Sequence, residues 1–404
     1  MTERWMYMRI DRNSPLPLYH QLKEIIKEQI RAGRLLPGQT IPSEIELTRT
    51  YKLSRYTVRQ AISDLVAEGI LRRVHGTGTF VSDSRKPAGI RAAKGRGSIG
   101  VIVPYLGDFF ISEILAGIEQ ITDGSNYNLI FCNSDNDMAE QARHINTLSR
   151  EGVEGLIVFP VENAPYDETI ARLAGEGFPL MLVDRYYDNI GGYDFVGCDN
   201  RKGVYQAIDH LFELGHQHIG FITHPFLSTT SVRERLEGYK EAIERHNLHF
   251  DESLVVTYPS WLVEENTMAS ELDDDLRYEP ILRLLDRRDR PSAVFALNDF
   301  VAIDVIKVCK RHGIRIPEDL SLVGFDDIEM ARYLEVPLTT VAQPKREIGV
   351  AAARILLERI EAGHMPDKQW EEKRILLPTT LVVRDSTAAN WRCPARQCAA
   401  GNCQ

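Results

Sequence analysis

The sequence predicts an α/β protein: a small winged helix-turn-helix at the N-terminus and a larger body of two Rossmann-like lobes. Three observations predict it. Three short amphipathic helical stretches and a glycine-turned hairpin fill the first 82 residues. From Ser98 onward, apolar runs of strand length alternate with helix-period segments. The charge divides at the same place: residues 1–86 hold 15 Lys+Arg against 9 Asp+Glu, and the remainder 33 against 49. A basic front therefore precedes an acidic body. Phosphate neutralisation depends on local positive charge, so the split suits an anionic partner at the front, with solvated surface charge as the plainer alternative.

At 404 residues, the chain is more than twice a ~150-residue domain, which excludes a single small domain. With 43% apolar and 26% charged residues, and no apolar run near the ~18–20 residues of a membrane crossing, it reads as soluble with no membrane partner. The start, MTERWMYMRIDRN, lacks an apolar signal-peptide core, and only six cysteines are present. The cytoplasm is the expected compartment.

Leu18, Leu22, Ile25, Ile26 and Ile30 share one face of a first helix that stops at Gly33. Ser43 and Glu46 make a capping box for a short second helix. Ser54 caps a third, in which Val58, Ala61, Ile62, Leu65 and Val66 face inward. ILRRVHGTGTFV then reads as a hairpin around Gly76 and Gly78. The resulting ranges are 1–82 for the winged unit, 83–97 for a basic Gly/Ala-rich linker, 98–385 for the body and 386–404 for an aperiodic, disordered tail.

The third helix shows Arg55, Tyr56, Arg59 and Ser63 on its outer face, with Thr57 near its start. Arg can read guanine bidentately, hydroxyls can reach phosphates or base edges, and the helix start favours a phosphate. His75, with Arg72 and Arg73, would extend the contact from the wing. The alternative is a solvated face with Arg55 and Arg59 merely at i, i+4. The stretches PLYHQLKEIIKEQI, LPGQTIPSEIEL, LSRYTVRQAISDLVAEGIL and HGTGTFV resemble the DNA-binding domain of the GntR family over its whole length. That resemblance implies double-stranded operator DNA as partner. It implies DNA contacts from Arg55, Thr57 and Arg59, with Tyr56 in the variable slot, Gly76 as the wing glycine, and Ser43 and Glu44 as further candidates. Ile45 stands where many members carry Arg, which removes a contact from that position.

In the body, strand-like runs end on polar residues: PLMLV on Asp184 and Arg185, AVFAL on Asn298 and Asp299, LSLVGF on Asp326 and Asp327. Ligands bind at carboxyl strand ends in open α/β sheets, and Asp, Asn and Arg with aromatics nearby suit an uncharged polyol. Singly, each such residue is the ordinary helix cap or turn former; their convergence points to a site. IGVIVPYLGDFF, EGVEGLIVFP, RERLEGY, ALNDFVAIDVI, IPEDLSLVGFDD and PLTTVAQP resemble the effector domain of LacI-family regulators and the periplasmic sugar-binding proteins. The resemblance implies a periplasmic-binding-protein-like, two-lobed Rossmann-type effector domain, with ligand positions at Asp108, Phe109, Phe110, Asp184, Arg185, Arg235, Trp261, Asn298, Asp326 and Gln343. The hinge helix usual in LacI-type chains is missing. A GntR-type reader on a LacI-type sensor resembles the arabinose-repressor family of Gram-positive bacteria, which implies a repressor of carbohydrate-utilisation genes released by a pentose, L-arabinose first.

An enzyme would need a catalytic constellation, and the chain contains no GxxxxGK[ST], GxSxG or HExxH motif and no GxGxxG after the first body strand. Neither a catalytic site nor a cofactor is expected. A metal- or redox-responsive regulator would rest on Cys393, Cys398 and Cys403, but their C-x4-C-x4-C spacing is looser than the C-x2-C pairs of zinc sites, and no metal is expected. A single ~80-residue winged module buries too little surface for tight specific binding, so a homodimer on symmetric half-sites is the expected form.

Overall fold

The structure is a computed structural model that describes residue 10 and residues 18–36, 38–67, 70–74, 78–81, 97–105, 109–258, 274–363 and 371–390. They fall into two compact units, one within residues 1–91 and the other within 92–404. The expected linker thus lies outside the described residues, except Gly97, which opens a strand.

In the first unit, α1 (Leu18–Arg31) buries Leu22, Ile25 and Ile26, the stripe that its apolar spacing demands. Helix α2 (Glu44–Tyr51) starts at the capping box: the Glu46 N–H donates to Ser43 Oγ and the Ser43 N–H donates to the Glu46 carboxylate at 2.8 Å. Helix α3 (Arg55–Ala67) starts at Ser54, whose hydroxyl accepts the Thr57 N–H at 3.1 Å. Val58, Ala61, Ile62 and Leu65 on its inner face complete the core. Strands β1 (Leu71–Val74) and β2 (Gly78–Val81) pair antiparallel. The segment before α2 also joins this sheet, because the Ile41 N–H donates to Thr79 O at 2.9 Å and the Val81 N–H to Gln39 O at 2.8 Å. With Pro37 and Gly38 ahead of it, that segment carries no strand-like period.

The second unit holds two six-stranded sheets. In lobe I, β3 (Gly97–Val103), β4 (Tyr127–Asn133), β5 (Gly155–Val158), β6 (Leu180–Val183), β7 (Asp194–Cys198) and β13 (Arg374–Leu377) run parallel in the order β13-β7-β6-β5-β3-β4. In lobe II, β8 (Ile219–Thr223), β9 (Val255–Thr257), β10 (Ala293–Ala296), β11 (Ser321–Asp326), β12 (Thr339–Ala342) and β14 (Thr380–Val382) stand in the order β14-β12-β11-β10-β8-β9, with only β14 antiparallel. Helices α4 (Phe109–Thr122), α5 (Met138–Glu151), α6 (Glu168–Gly175) and α11 (Lys345–Gly363) cover the first sheet; α7 (Asn200–Glu213), α8 (Thr230–Arg245), α9 (Asp274–Leu285) and α10 (Asp299–Arg311) cover the second. The inner strands are buried along their whole length, which is why they read as unbroken apolar runs. The chain passes between lobes three times, after β7, after β12 and after β13.

The second passage is fixed by a close helix crossing. A Cβ on Gly117 of α4 would lie 2.1 Å from Arg346 O, and one on Gly349 of α11 would lie 2.0 Å from Ile114 O.

One expectation is corrected. The segment 386–390 belongs to lobe II instead of a disordered tail: Ser386 is fully buried, its carbonyl accepts the Leu322 N–H at 2.8 Å, its hydroxyl accepts the Thr339 N–H at 2.8 Å, and the Asn390 N–H donates to Leu214 O at 2.8 Å. Backbone and hydroxyl hydrogen bonds hold it, and these leave no hydrophobic period to read. Residues 391–404, with Cys393, Cys398 and Cys403, lie outside the described residues.

Replacing Gly349 with Ala forces α4 and α11 apart. Overpacking of this kind costs about 1–3 kcal/mol, so the variant should melt several degrees below the wild type in a thermal scan; an unchanged midpoint would contradict the crossing.

Candidate functional site

The carboxyl ends of the two sheets face one another across a cleft in the second unit. Lobe I contributes Pro104 and Tyr105 after β3, Phe159 and Glu162 after β5, Asp184 and Arg185 after β6, and Phe110 from α4. Lobe II contributes His224 after β8, Asn298 after β10, Asp326 at the end of β11, Gln343 after β12, and Ser231, Val232 and Arg235 from the start of α8. The empty space between the walls amounts to about 750 Å³, open mouth included.

Arg235 organises the lobe II wall. It is nine-tenths buried; its Nε donates to Asn200 Oδ1 at 2.9 Å, its Nη1 to Leu297 O at 2.8 Å and its Nη2 to Asp326 Oδ1 at 3.3 Å, while its guanidinium lies 3.8 Å from the Phe325 ring centre. Asp326 also accepts from Gln343 Nε2 at 2.7 Å. Burial pushes the Asp326 carboxyl up to about 6; Arg235 and the Gln343 hydrogen bond work against that rise. Asp299 sits behind it, fully buried, accepting the Ile328 N–H at 2.8 Å and the Thr340 hydroxyl at 2.5 Å. Burial, followed by the nearby Asp326 charge, holds the Asp299 carboxyl well above the usual carboxylate range. Its two bonds anchor the turn in which Asp326 (φ 107°) and Asp327 (φ 49°) adopt left-handed backbone.

The lobe I wall repeats the pattern. Asp184, also at positive φ (70°), accepts from Arg185 Nε at 3.1 Å, and the Arg185 Nη2 meets Glu162 Oε1 at 3.2 Å. Burial opposes the Arg185 charge, but Glu162 and Asp184 outweigh it and raise the pKa above the ordinary arginine value. Both guanidinium groups lining the cleft therefore face carboxylates, and burial lowers the pKa of His224, which keeps that ring neutral near pH 7. Among its described residues, the cleft offers donors and acceptors without an unpaired cation. Among the described residues, no group of three His, Cys, Asp or Glu side chains could hold a metal ion.

The lobes also touch directly. The Asn163 N–H of lobe I donates to Thr229 Oγ1 at 2.9 Å, the Tyr186 N–H donates to Thr230 Oγ1 at 3.0 Å, and the Tyr186 hydroxyl donates to Glu234 at 2.8 Å. Lys345, where the chain enters α11, donates to the carbonyls of Asp326 and Asp327 at 3.0 and 2.7 Å and reaches Glu113 of α4 at 2.8 Å.

In the first unit, Arg55 and Arg59 are exposed at the start and middle of α3, on the face opposite Val58 and Ile62. Arg59 Nε rests 3.4 Å from Glu44 Oε2, and Thr57 shares a 2.7 Å hydrogen bond with Ser54. Ser43 spends its hydroxyl on the capping box. Arg59 is thus paired across to α2, with Arg55 exposed one turn before it on α3.

Comparison with known proteins agrees with both halves. Residues 18–81 match the model of bacterial regulatory proteins of the gntR family, and residues 208–387 match the periplasmic binding protein-like domain. The chain is 32% identical to an arabinose metabolism transcriptional repressor of Halalkalibacterium halodurans, over 92% of this chain and 96% of that one. This chain belongs to that family of bacterial transcriptional repressors. The counterpart in Geobacillus stearothermophilus is 31% identical over 92% of this chain and 98% of its own length. A LacI family transcriptional regulator from Enterococcus faecium, solved with bound ribose, shares 33% identity at a TM-score of 0.58, covering 72% of this chain and 99% of that one.

Of the residues expected in this repressor's effector site, the cleft brings together Phe110, Asp184, Arg185, Arg235, Asn298, Asp326 and Gln343. Phe109 is not among them: as the first residue of α4 it is 42% exposed, because the helix turns Phe110 inward instead. Asp108, Trp261, His75 and Gly76 lie outside the described residues, and of Tyr56 only its place in α3 is described. Asn298 is also a helix cap, its Oδ1 accepting the Val301 N–H at 2.9 Å, so its amide nitrogen is the remaining donor. Sequence reasoning missed Glu162, His224 and Ser231. His224 follows β8 as Asp184 follows β6, so the rule of polar residues at strand ends could have found it; Ser231 and Glu162 carry no such signal.

Replacing Arg235 with Met leaves Asn200, Leu297 O and Asp326 short of a donor inside the fold. Losing one partner of a buried pair costs about 3–5 kcal/mol, to be read from urea unfolding. Without Arg235 the raised Asp326 pKa rises further, and a raised carboxyl contributes stability at low pH that is lost as pH climbs through its folded value. The deficit should thus be larger at pH 7.5 than at pH 5; a deficit independent of pH would contradict the coupling.

Proposed function

We propose that this regulator represses carbohydrate-utilisation genes from the cytoplasm as a homodimer, holds operator DNA through α3 and the wing of each protomer, and is released by a neutral sugar in the cleft. L-arabinose is the first candidate among pentoses. The observation that carries the reading is the charge balance of the cleft: Arg185 faces Asp184 and Glu162, and Arg235 faces Asp326, so among the described lining residues a phosphorylated or acidic effector would meet no spare cation. A neutral polyol fits instead. Its hydroxyls can donate to Asp184 and Asp326 and accept from Asn298 and the guanidinium groups, with Phe110 and Phe159 against its C–H faces.

The names of the relatives support the same reading, since the Halalkalibacterium and Geobacillus proteins are arabinose metabolism repressors and the Enterococcus structure holds ribose. On the DNA side, Arg55 and Arg59 are the exposed guanidinium groups of α3 and supply the base contacts. A sugar bound to both walls favours the state in which they are close, and dimer geometry carries that change to the paired N-terminal units.

The test is operator binding by fluorescence anisotropy, on a site selected from random DNA. Wild type should release the site on addition of L-arabinose. Arg55→Ala should lose about 1–3 kcal/mol of binding per protomer with sugar affinity unchanged, and Asp326→Ala should keep the operator but resist release. Release of the Asp326→Ala protein at the wild-type sugar concentration, or a sugar panel that never stabilises the wild-type fold, would overturn the proposal.

A further inference from the structure

We propose that His224 is a specificity-determining effector contact, which together with Gln343 demands a ligand hydroxyl at each end of the lobe II wall. The inference rests on reading the cleft as a sugar site. His224 is 3% exposed and Gln343 5%, both line the cleft, and each carries a buried polar atom, His224 Nδ1 and Gln343 Oε1, with no hydrogen-bond partner among the described residues. Buried polar atoms are nearly always paired, because an unmade bond costs the full desolvation of the group. The neighbouring polar atoms have their partners already: Gln343 Nε2 is held by Asp326, Asn298 Oδ1 by the α10 cap, and Arg235 by three acceptors.

The two orphan atoms stand at opposite ends of a row. His224 follows β8 and Gln343 follows β12, with β10 and β11 between them, so their backbones are about 14 Å apart at ~4.8 Å per strand. Two side chains reaching inward leave room for one sugar ring, with Asn298 and Asp326 facing its middle. His224 lies against Tyr258, tilted with ring centres 6.2 Å apart, while Tyr258 donates to the buried Asp304 at 2.9 Å. Gln343 Oε1 can only accept, so the hydroxyl opposite it donates; the neutral imidazole either donates or accepts according to its tautomer. A sugar lacking the hydroxyl opposite His224 leaves the orphan unpaired and is rejected.

The test uses the full chain with L-arabinose, D-ribose and D-xylose, carrying forward whichever of the three stabilises the wild type. His224→Phe keeps a flat ring and removes both nitrogens; His224→Asn keeps a polar atom near the Nδ1 position. By calorimetric titration, His224→Phe should bind that pentose at least about tenfold more weakly, and His224→Asn should recover most of the loss. Imidazole nitrogen resonances of the wild type, with His224 assigned by its absence from the His224→Asn spectrum, should show Nδ1 shifting on saturation with the pentose, a readout that stands even if His224→Phe does not fold. Equal affinity of wild type and His224→Phe, equal losses in both variants, or an unmoved Nδ1 resonance would overturn the role of His224 while leaving the sugar reading intact. Failure of all three pentoses, and of the wider sugar panel, to bind the wild type would remove the sugar reading itself and this inference with it.

Discussion

The Arg235 guanidinium is the interaction on which the rest of the effector unit depends. Three acceptors from three different segments, Asn200 at the start of α7, Leu297 after β10 and Asp326 at the end of β11, converge on one buried side chain of α8. Without it, the Asn200 and Leu297 oxygens and Asp326 would each lose a donor inside the fold. With it, Asp326 is held at the cleft wall in a left-handed turn that Asp299 secures from behind. The same carboxylate takes the Gln343 amide, so the first residue of the β12 passage between lobes is tied to the ligand wall. The cleft wall and the passage between lobes share one hydrogen-bond network.

The network runs on from the lobe II wall into lobe I. The passage after β12 runs through Gln343 and Pro344 into α11, where Lys345 joins the Asp326 and Asp327 carbonyls to Glu113 of α4. Helix α11 then crosses α4 at the glycine contact, which is too close for any side chain to slip. Helices α4 and α11 are thus locked together against lobe I, and the start of α8 meets that lobe through Thr229 and Thr230. A ligand that bonds to both walls biases the lobe arrangement by its differential affinity and by nothing else.

Much of this was legible in the sequence, for physical reasons. The helices of the first unit announce themselves through apolar spacing and caps, since Leu22, Ile25 and Ile26 must share a face and Ser43 must satisfy free N–H groups. The inner strands read plainly because burial on both faces leaves no polar residue in Leu180–Val183 or Ala293–Ala296. Asp184, Asn298 and Asp326 stood out because polar residues abruptly follow those runs. What stayed hidden depends on pairing across distance. Residues 38–41 join the wing sheet only because β2 offers them partners, Ser386 is fixed by Leu322 and Thr339, and a single helical step of about 100° turns Phe109 away from the cleft that Phe110 lines. His224 was written in the same grammar as Asp184, but a histidine after a strand carries no functional meaning until its neighbours prove unable to pair it.

The central claim, that the effector acts by holding the two lobes together, is tested most directly by amide hydrogen exchange at Asn163 and Tyr186, whose N–H groups donate across the cleft to Thr229 and Thr230. With saturating L-arabinose, or another panel sugar that binds, both amides should exchange at least about tenfold more slowly than in the free protein, alongside amides lining the two walls. Slower exchange confined to one wall, with Asn163 and Tyr186 unchanged while the sugar is bound, would contradict the account.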